Sequence, residues 1–246
     1  MNYHWNWGIF LAPALGSESY LDWLLSGLGI TALLGLTAWM LALLLGSVLG
    51  LLQTWPSRWI KAAVAVYVEV FRGIPLLVQI FIWYFAMPEV LPYGERLKAL
   101  SPFGQQFIAA FLCLGTYTAA RVCVQVRAGI DALPRGQRNA GLALGFSQLQ
   151  TYRYVLLPQA FRIIVPPLTS EFLSIFKNTA VASTIGLLEL ASQGRQLVDY
   201  TAQPYEAFIA VTTMYLLINM TVMLLMHWVE ARTALPGGRA SGPVTS

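Results

Sequence analysis

Long apolar stretches without any charged residue divide this chain into segments of membrane length. No Asp, Glu, Lys or Arg occurs between Trp23 and Ser57, a run of 35 residues, and a second such run covers residues 207–229. A helix needs about 20 predominantly apolar residues to cross a bilayer. The pattern therefore predicts an all-α polytopic membrane protein. Its five spans are expected at residues 23–53, 60–88, 103–122, 167–188 and 207–229.

The composition agrees with this pattern and gives it an orientation. Of the 246 residues 57% are hydrophobic and 11% are charged, whereas soluble domains average about 25% charged residues. Six arginines but only one acid, Asp131, lie between Arg121 and Arg162. Because Lys and Arg are retained on the cytoplasmic side, the loop 123–165 is predicted to be cytoplasmic. The N-terminus is then periplasmic and the C-terminus cytoplasmic, and the net charge of +4 indicates topology rather than a nucleic-acid partner.

Two terminal segments differ from the transmembrane domain predicted at residues 23–230. Residues 1–22 are polar and aromatic, and tryptophan and tyrosine favour the membrane–water boundary. They are expected to form a periplasmic, interfacial lead-in. Residues 231–246 are rich in Gly, Pro and Ser and are expected to be a disordered cytoplasmic tail.

The second span is interrupted by polar and helix-breaking residues. Pro75 removes a backbone donor, so a kink is expected near Phe71. Glu69 and Arg72 are three residues apart on one helical face and could form an ion pair beside this kink. Gly73 lies between them and the proline.

The fourth span carries a polar face. At 100° per residue its polar side chains share one arc, whereas Phe172 and Phe176 point elsewhere. Such an arc should face a water-filled path or another helix, and the pattern leaves both interpretations open. The candidate path residues are Glu171, Ser174, Lys177, Asn178 and Thr184.

Signatures of catalysis are missing from the sequence. None of the three lysines follows a glycine as a Walker A loop requires, and neither HExxH nor GxSxG occurs. Two histidines at opposite ends of the chain and two cysteines without CxxC spacing predict no metal site. No catalytic residue and no cofactor is therefore expected. A secondary carrier stays open as an alternative, because the ionisable residues within spans two and four could couple transport to protons. A membrane enzyme is a more distant alternative.

The cytoplasmic loop contains a pattern of two short helices. Residues 136–144 can form the first, Gly145 can close it in a left-handed cap, and Ser147 can start the second. Pro158 is expected to end the second helix. Such a hairpin suits insertion into a groove on another protein, although the pattern alone would equally fit an ordinary surface hairpin.

This segment resembles the EAA loop of permease subunits of binding-protein-dependent ABC importers. The loop pattern is Glu-Ala-Ala, three residues, Gly, nine residues, then Ile-x-Leu-Pro. The chain departs from it by Asn for Glu, Gly for the second Ala, and Val for Ile, and keeps the spacing throughout. The matching positions are Asn139, Ala140, Gly141, Gly145, Val155, Leu157 and Pro158.

Other segments are similar to permeases of polar amino acids. Residues 69–76 resemble their second-helix signature, and residues 128–137 and 177–179 also match. The opening Trp5–Phe10 and residues 118–123 look most similar to permeases of glutamate/aspartate importers. The resemblance covers roughly residues 5–232.

The resemblance implies a function and a set of partners. Two permease subunits would form the pathway in the bacterial inner membrane, and the second is expected to be a related chain. A dimer of ATP-binding cassette subunits would receive the EAA loops, and a periplasmic binding protein would deliver the amino acid. ATP binding would drive the helices between inward-open and outward-open states. Glutamate/aspartate is the expected substrate class, with glutamine or arginine/histidine as the alternative.

Overall fold

The chain folds into a bundle of α-helices. The structure, a computed structural model, describes residues 3–14 and 18–233, so the end of the tail predicted to be disordered lies outside the described residues. Within these ranges the backbone forms helices and turns without a β-strand; one isolated bridge joins Pro13 to Ser19. The predicted all-α fold is confirmed.

The first long helix, α1 (Tyr20–Thr54), begins at a complete capping box. The Ser19 hydroxyl accepts from the Asp22 N–H, and the Asp22 carboxylate accepts from the Ser19 N–H, so two otherwise unpaired donors are satisfied. The helix ends at Thr54, just before Trp55-Pro56. It is long and apolar enough to cross a membrane.

A sharp bend follows between α2 (Arg58–Gly73) and α3 (Leu76–Phe81). The two helix axes meet at 101°, with Pro75 at the N-cap of α3. The break frees backbone carbonyls, and the Gln79 side-chain amide donates to two of them, Phe71 O at 2.7 Å and Ile74 O at 2.8 Å. This buried amide stabilises the bend that the proline creates.

A π-helical turn continues the chain toward the next loop. It covers Ile82–Ala86 and precedes α4 (Met87–Val90), in which Pro88 occupies the first turn. A proline cannot donate to the carbonyl four residues earlier, and a wider π-turn accommodates the missing bond. The short α5 (Gly94–Lys98) then leads to the central helix.

The central helix, α6 (Pro102–Asp131), packs along α1 through close backbone approaches. A Cβ atom on Gly46 would lie 2.6 Å from the Ala119 carbonyl oxygen, so only glycine fits there. The helix continues to Asp131, nine residues beyond the predicted end of span three. Arg121 therefore lies well inside α6.

The predicted cytoplasmic loop contains α7 (Arg135–Ala143) and α8 (Gln148–Thr151). The expectation that Pro158 ends the second helix is wrong. A π-turn at Tyr152–Leu156 absorbs the missing hydrogen bond, and the chain continues directly into α9 (Leu157–Asn178). The helix α9 begins at Leu157, ten residues before the predicted start of span four, and Pro166 and Pro167 lie inside it.

The remaining elements complete the bundle. After α9 the chain tightens into a 3₁₀-helix, Thr179–Ile185, and turns at Gly186 with φ = 89°. Two helices follow, α10 (Leu190–Thr201) and α11 (Pro204–Thr233). The main core lies between α1, α6 and α9, and a second cluster joins α1, α10 and α11.

Three helices in the described part of the chain are long and apolar enough to span a bilayer: α1, α6 and α11. The bent pair formed by α2 and residues 76–90 would add a fourth span if it crosses as one broken helix. The helix α9 is not among them; it carries Arg162, Glu171 and Lys177. The number of spans and their orientation stay predictions.

Candidate functional site

The polar face of α9 is held by an ion pair to α6. The Arg121 Nε lies 2.6 Å from the Glu171 Oε2, and the Glu171 side chain is 7% exposed while that of Arg121 is 41% exposed. The next residue of α9, Phe172, stacks its ring on that of Trp39 of α1 at 4.7 Å. Glu171 is thus a buried carboxylate whose partner reaches the surface of the chain.

The other predicted path residues do not join this pair. The Ser174 hydroxyl donates to the Ser170 carbonyl of its own helix at 2.8 Å. Lys177 is exposed and takes part in none of the ion pairs within the described residues, and Asn178 is partly buried. Thr184 lies in the 3₁₀ segment, where the rotation is about 120° per residue. The 100° projection therefore does not apply to Thr184, although this residue is also exposed.

The ion pair expected between Glu69 and Arg72 is not formed. Both side chains are exposed, and an ion pair in water gains little over separate hydration. Arg72 lies instead in the last turn of α2, where a cation interacts favourably with the helix dipole. Gly73 ends that helix and Pro75 begins the next, so these two residues lie at the bend.

The hairpin between α7 and α8 has a defined turn. Gly145 adopts φ = 82°, and two hydrogen bonds close the helix end: Phe146 N–H to Gly141 O at 3.1 Å and Gly145 N–H to Leu142 O at 3.0 Å. This is the Schellman pattern, in which a glycine in the left-handed conformation lets carbonyls of the last helical turn accept hydrogen bonds from the N–H groups that follow the helix. Ser147 then starts α8 with a capping box to Gln150.

Close packing joins the two arms of this hairpin. Gly141 is buried, and a Cβ atom there would lie 2.8 Å from the Thr151 Cγ2. The loop pattern has alanine at this position. The glycine of this chain permits α7 and α8 to approach each other more closely. Asn139 and Ala140 are exposed, Val155 and Leu157 are partly buried, and Pro158 is exposed.

The hairpin presents apolar side chains to its surroundings. Leu144 is 76% exposed and Leu149 is 69% exposed, on either side of the Gly145 turn. Two large apolar side chains are therefore exposed beside the turn of the hairpin. The predicted loop residues therefore lie in and beside one exposed hairpin, whereas the predicted path residues lie separately on α9 and, for Thr184, in the 3₁₀ segment that follows it.

A second buried carboxylate was missed by the sequence analysis. Glu189 is fully buried at the start of α10 and accepts hydrogen bonds from Tyr215 Oη at 2.8 Å and from the Ser192 N–H at 2.8 Å. Thr31 of α1 donates to the same carboxylate at 3.4 Å. The one available signal was an acidic residue directly before a helical segment, which is typical of an N-cap. Its partners on α1 and α11 are too distant in sequence to be inferred.

Metal binding finds no support among residues 3–14 and 18–233, where no three His, Cys, Asp or Glu side chains converge. The Cys113 and Cys123 thiols are both buried and free.

The chain is similar to known transport proteins over most of its length. Residues 42–235 match the family described as binding-protein-dependent transport system inner membrane component. The glutamate/aspartate import permease protein GltJ of Escherichia coli is 52% identical, and the alignment covers 96% of this chain and 98% of that protein. The glutamine transport system permease protein GlnP of Escherichia coli is 33% identical over 80% of this chain and 89% of that protein.

A solved structure also has this fold. One chain of a crystal structure of an amino acid ABC transporter with histidines superposes with a TM-score of 0.74 at 30% identity, covering 87% of this chain and 95% of that chain. The matched family region extends over most of the sequence, from the middle of α1 to the end of α11. The protein belongs to the family of binding-protein-dependent transport system inner membrane components.

Proposed function

We propose that this chain is the permease subunit of an ATP-driven importer that moves glutamate and aspartate across the bacterial inner membrane. The observation that carries the proposal is the 52% identity, over nearly the whole of both chains, to a glutamate/aspartate import permease. The helical bundle with its long apolar helices supplies the membrane domain. ATP hydrolysis is assigned to separate ATPase subunits.

The α7–α8 hairpin is the proposed contact with these ATPase subunits. It is largely exposed, it carries Leu144 and Leu149 beside its turn, and Gly145 gives that turn a defined backbone conformation. A rigid element can transmit a movement of the ATPase to α9, because the chain stays helical from Gln148 to Asn178 through the π-turn. Alternating access would follow from that movement.

Five spans, with the N-terminus in the periplasm and the C-terminus in the cytoplasm, are proposed for the membrane domain. The arginines of the α7–α8 region support a cytoplasmic hairpin. With its rise of 1.5 Å per residue, α9 is about 33 Å long, which is sufficient for a hydrocarbon core of about 30 Å. A related second permease and a periplasmic binding protein would complete the importer.

The polar face of α9 is the proposed translocation path. Glu171 is held by Arg121, while Lys177 is exposed and forms no ion pair with any described residue, so Lys177 is available to a substrate carboxylate. A cation in a region of low dielectric attracts an anionic substrate more strongly than it does in water. The path would be completed by the second permease subunit.

Uptake of labelled glutamate into proteoliposomes tests the function. The permease would be reconstituted with its ATPase, second permease and binding protein, and unlabelled aspartate, glutamine, arginine and histidine would compete in separate samples. We expect ATP-dependent uptake that aspartate alone blocks. Block by glutamine, as the 33% identity to a glutamine permease allows, or by arginine or histidine would keep the importer class and change the substrate. Uptake without ATP would indicate a secondary carrier instead.

A further inference from the structure

A large cavity beside α7 is not part of the proposed translocation path. It has a volume of about 730 Å³ and lies between the end of α1, the first turn of α2, the last turn of α6 and the inner side of α7. This volume is within the range of about 300–1,000 Å³ that is typical of small-molecule sites. Side chains from four helices therefore form a concave site near the proposed ATPase contact.

The cavity carries an excess of positive charge. Lys61 of α2, Arg127 of α6 and Arg138 of α7 line it, and Asp131 is the one carboxylate among its lining residues. Arg127 donates to Asp131 at 3.2 Å. Lys61 and Arg138 take part in none of the ion pairs between described residues. Two cations from different helices thus line the same cavity without an ion-pair partner in the described part of the chain.

The neighbouring cavity provides a contrast. It has a volume of about 430 Å³ and contains Glu69 and Arg72 in addition to the Arg127–Asp131 pair. Its cationic and anionic side chains are equal in number, so it has no excess charge to attract an anion. Of these two cavities, the one with a positive excess is therefore the one that contains Lys61 and Arg138.

Neutral groups in the larger cavity favour an acceptor-rich ligand. Asn139, which stands where the EAA loop pattern has glutamate, is exposed and offers an amide that can donate hydrogen bonds. The Tyr152 hydroxyl already donates to the Thr54 carbonyl at 3.0 Å and so contributes mainly an aromatic wall. An ammonium, a guanidinium and an amide together match a multiply charged anion with several oxygens, which is the chemistry of a phosphate group.

We propose that this cavity binds a phosphate group through Lys61, Arg138 and Asn139. The phosphate would belong either to the headgroup of an anionic phospholipid or to a free inorganic phosphate or pyrophosphate. Because Lys61 lies on α2 and the other two residues on α7, the ligand would tie the α7–α8 hairpin to the membrane helices. Occupancy would thereby stabilise one position of the hairpin.

The test compares two charge-matched double variants of the assembled importer. Lys61→Gln with Arg138→Gln removes both unpaired cations from the cavity. Arg153→Gln with Arg162→Gln removes two exposed cations that lie outside it. A third variant, Asn139→Asp, adds a carboxylate to the cavity at nearly unchanged side-chain volume and serves if the first variant fails to assemble.

Two binding measurements distinguish the sources of phosphate. Native mass spectrometry would count the phosphatidylglycerol molecules retained from vesicles of phosphatidylglycerol and phosphatidylethanolamine. Titration calorimetry in lipid-free detergent would measure the binding of inorganic pyrophosphate. Any pyrophosphate bound by the ATPase subunits would contribute equally in all variants. We expect binding to weaken about tenfold or more in both cavity variants and to stay unchanged in the control, because charge-assisted hydrogen bonds are lost.

Each result has a defined meaning. Selective loss of phosphatidylglycerol identifies a lipid headgroup, and selective loss of pyrophosphate binding identifies a free phosphate. Equal binding by the cavity and control variants would overturn the proposal. Binding that is present in the permease alone but absent after the ATPase is added would also overturn it, because the cavity would then be covered by the partner. None of these results depends on which amino acid is transported.

Discussion

At the scale of single residues, Gly145 has the most demanding backbone in the hairpin. Its φ of 82° lies in the left-handed region, where a residue with a Cβ atom costs about 1–2 kcal/mol. The turn joins two capped helix ends. The Phe146 N–H closes the end of α7, and the Ser147 hydroxyl accepts from the Gln150 N–H at the start of α8. A side chain at position 145 is therefore expected to change the presentation of the hairpin without affecting the membrane core.

We predict that Gly145→Glu abolishes ATP-dependent uptake while the protein is still inserted in the membrane. Gly136→Glu is a matched control, because position 136 has open space and lies in the first turn of α7, where a carboxylate is favourable. Co-purification of the ATPase and uptake would both be measured. Normal uptake by Gly145→Glu, or equal loss in both variants, would contradict the role of the turn.

Lys177 tests the proposed path at the same scale. We predict that Lys177→Met raises the KM for glutamate about fivefold, which corresponds to about 1 kcal/mol, because a cation that attracts the substrate is removed. Lys98→Met is the control, since Lys98 is paired with Glu89 and Glu95 in a loop away from α9. Uptake kinetics at saturating ATP would separate KM from the maximal rate. Unchanged values would leave Lys177 without a role in the path.

The candidate site shows what a sequence can and cannot specify at this scale. The Gly145 turn was predictable because a left-handed cap is a local feature, set by residues within one turn of each other. The Arg121–Glu171 pair was not, because its partners are 50 residues apart. The polar arc of α9 identified Glu171 as a buried or path-lining residue, but a periodicity gives no information about the helix opposite.

At the scale of elements, prolines have three different outcomes in this fold. Pro75 accompanies a 101° bend, Pro88 and Pro158 each follow a π-turn, and Pro166 with Pro167 lies inside a continuous α9. In the first case the amide of Gln79 binds the freed carbonyls. The sequence predicted a kink at Pro75 and a helix end at Pro158. The form of each depends on whether a tertiary donor or a wider turn satisfies the backbone.

The contact between α1 and α6 gives a prediction for helix packing. A Cβ atom on Gly46 would lie 2.6 Å from a backbone carbonyl of α6, whereas one on Gly29 of the same helix would meet nothing within 4 Å. We predict that Gly46→Ala destabilises the protein by about 1–3 kcal/mol through overpacking. Gly29→Ala is expected to be neutral or slightly stabilising.

Thermal unfolding of both variants in detergent, followed by loss of the monodisperse protein, measures this difference. Gly46→Ala should unfold at a lower temperature than the parent protein and Gly29→Ala should not. If the two substitutions have the same effect, the close approach of α1 and α6 does not contribute to stability as proposed.

At the scale of the whole molecule, hydropathy identified the helices that are uniformly apolar. For α1, α6 and α11 the apolar pattern and the observed helices coincide apart from their ends. Hydropathy was less informative for α9, because that helix carries charged residues that tertiary contacts compensate, such as Glu171, which pairs with Arg121. The ends of helices were also missed where a helix continues beyond the apolar run, as α6 does to Asp131.

The fourth span is therefore the part of the topology that most needs a direct test. If α9 crosses the membrane, the α7–α8 hairpin and α10 lie on opposite sides. We predict that Glu18→Cys and Asp199→Cys react with a membrane-impermeant maleimide in intact cells, because both positions are exposed and assigned to the periplasm. Arg153→Cys should react only after the membrane is permeabilised. Cys113 and Cys123 are buried, so the parent protein provides a low background. Labelling of Asp199→Cys and Arg153→Cys from the same side would mean that α9 does not span the bilayer, and the number of spans would fall to four.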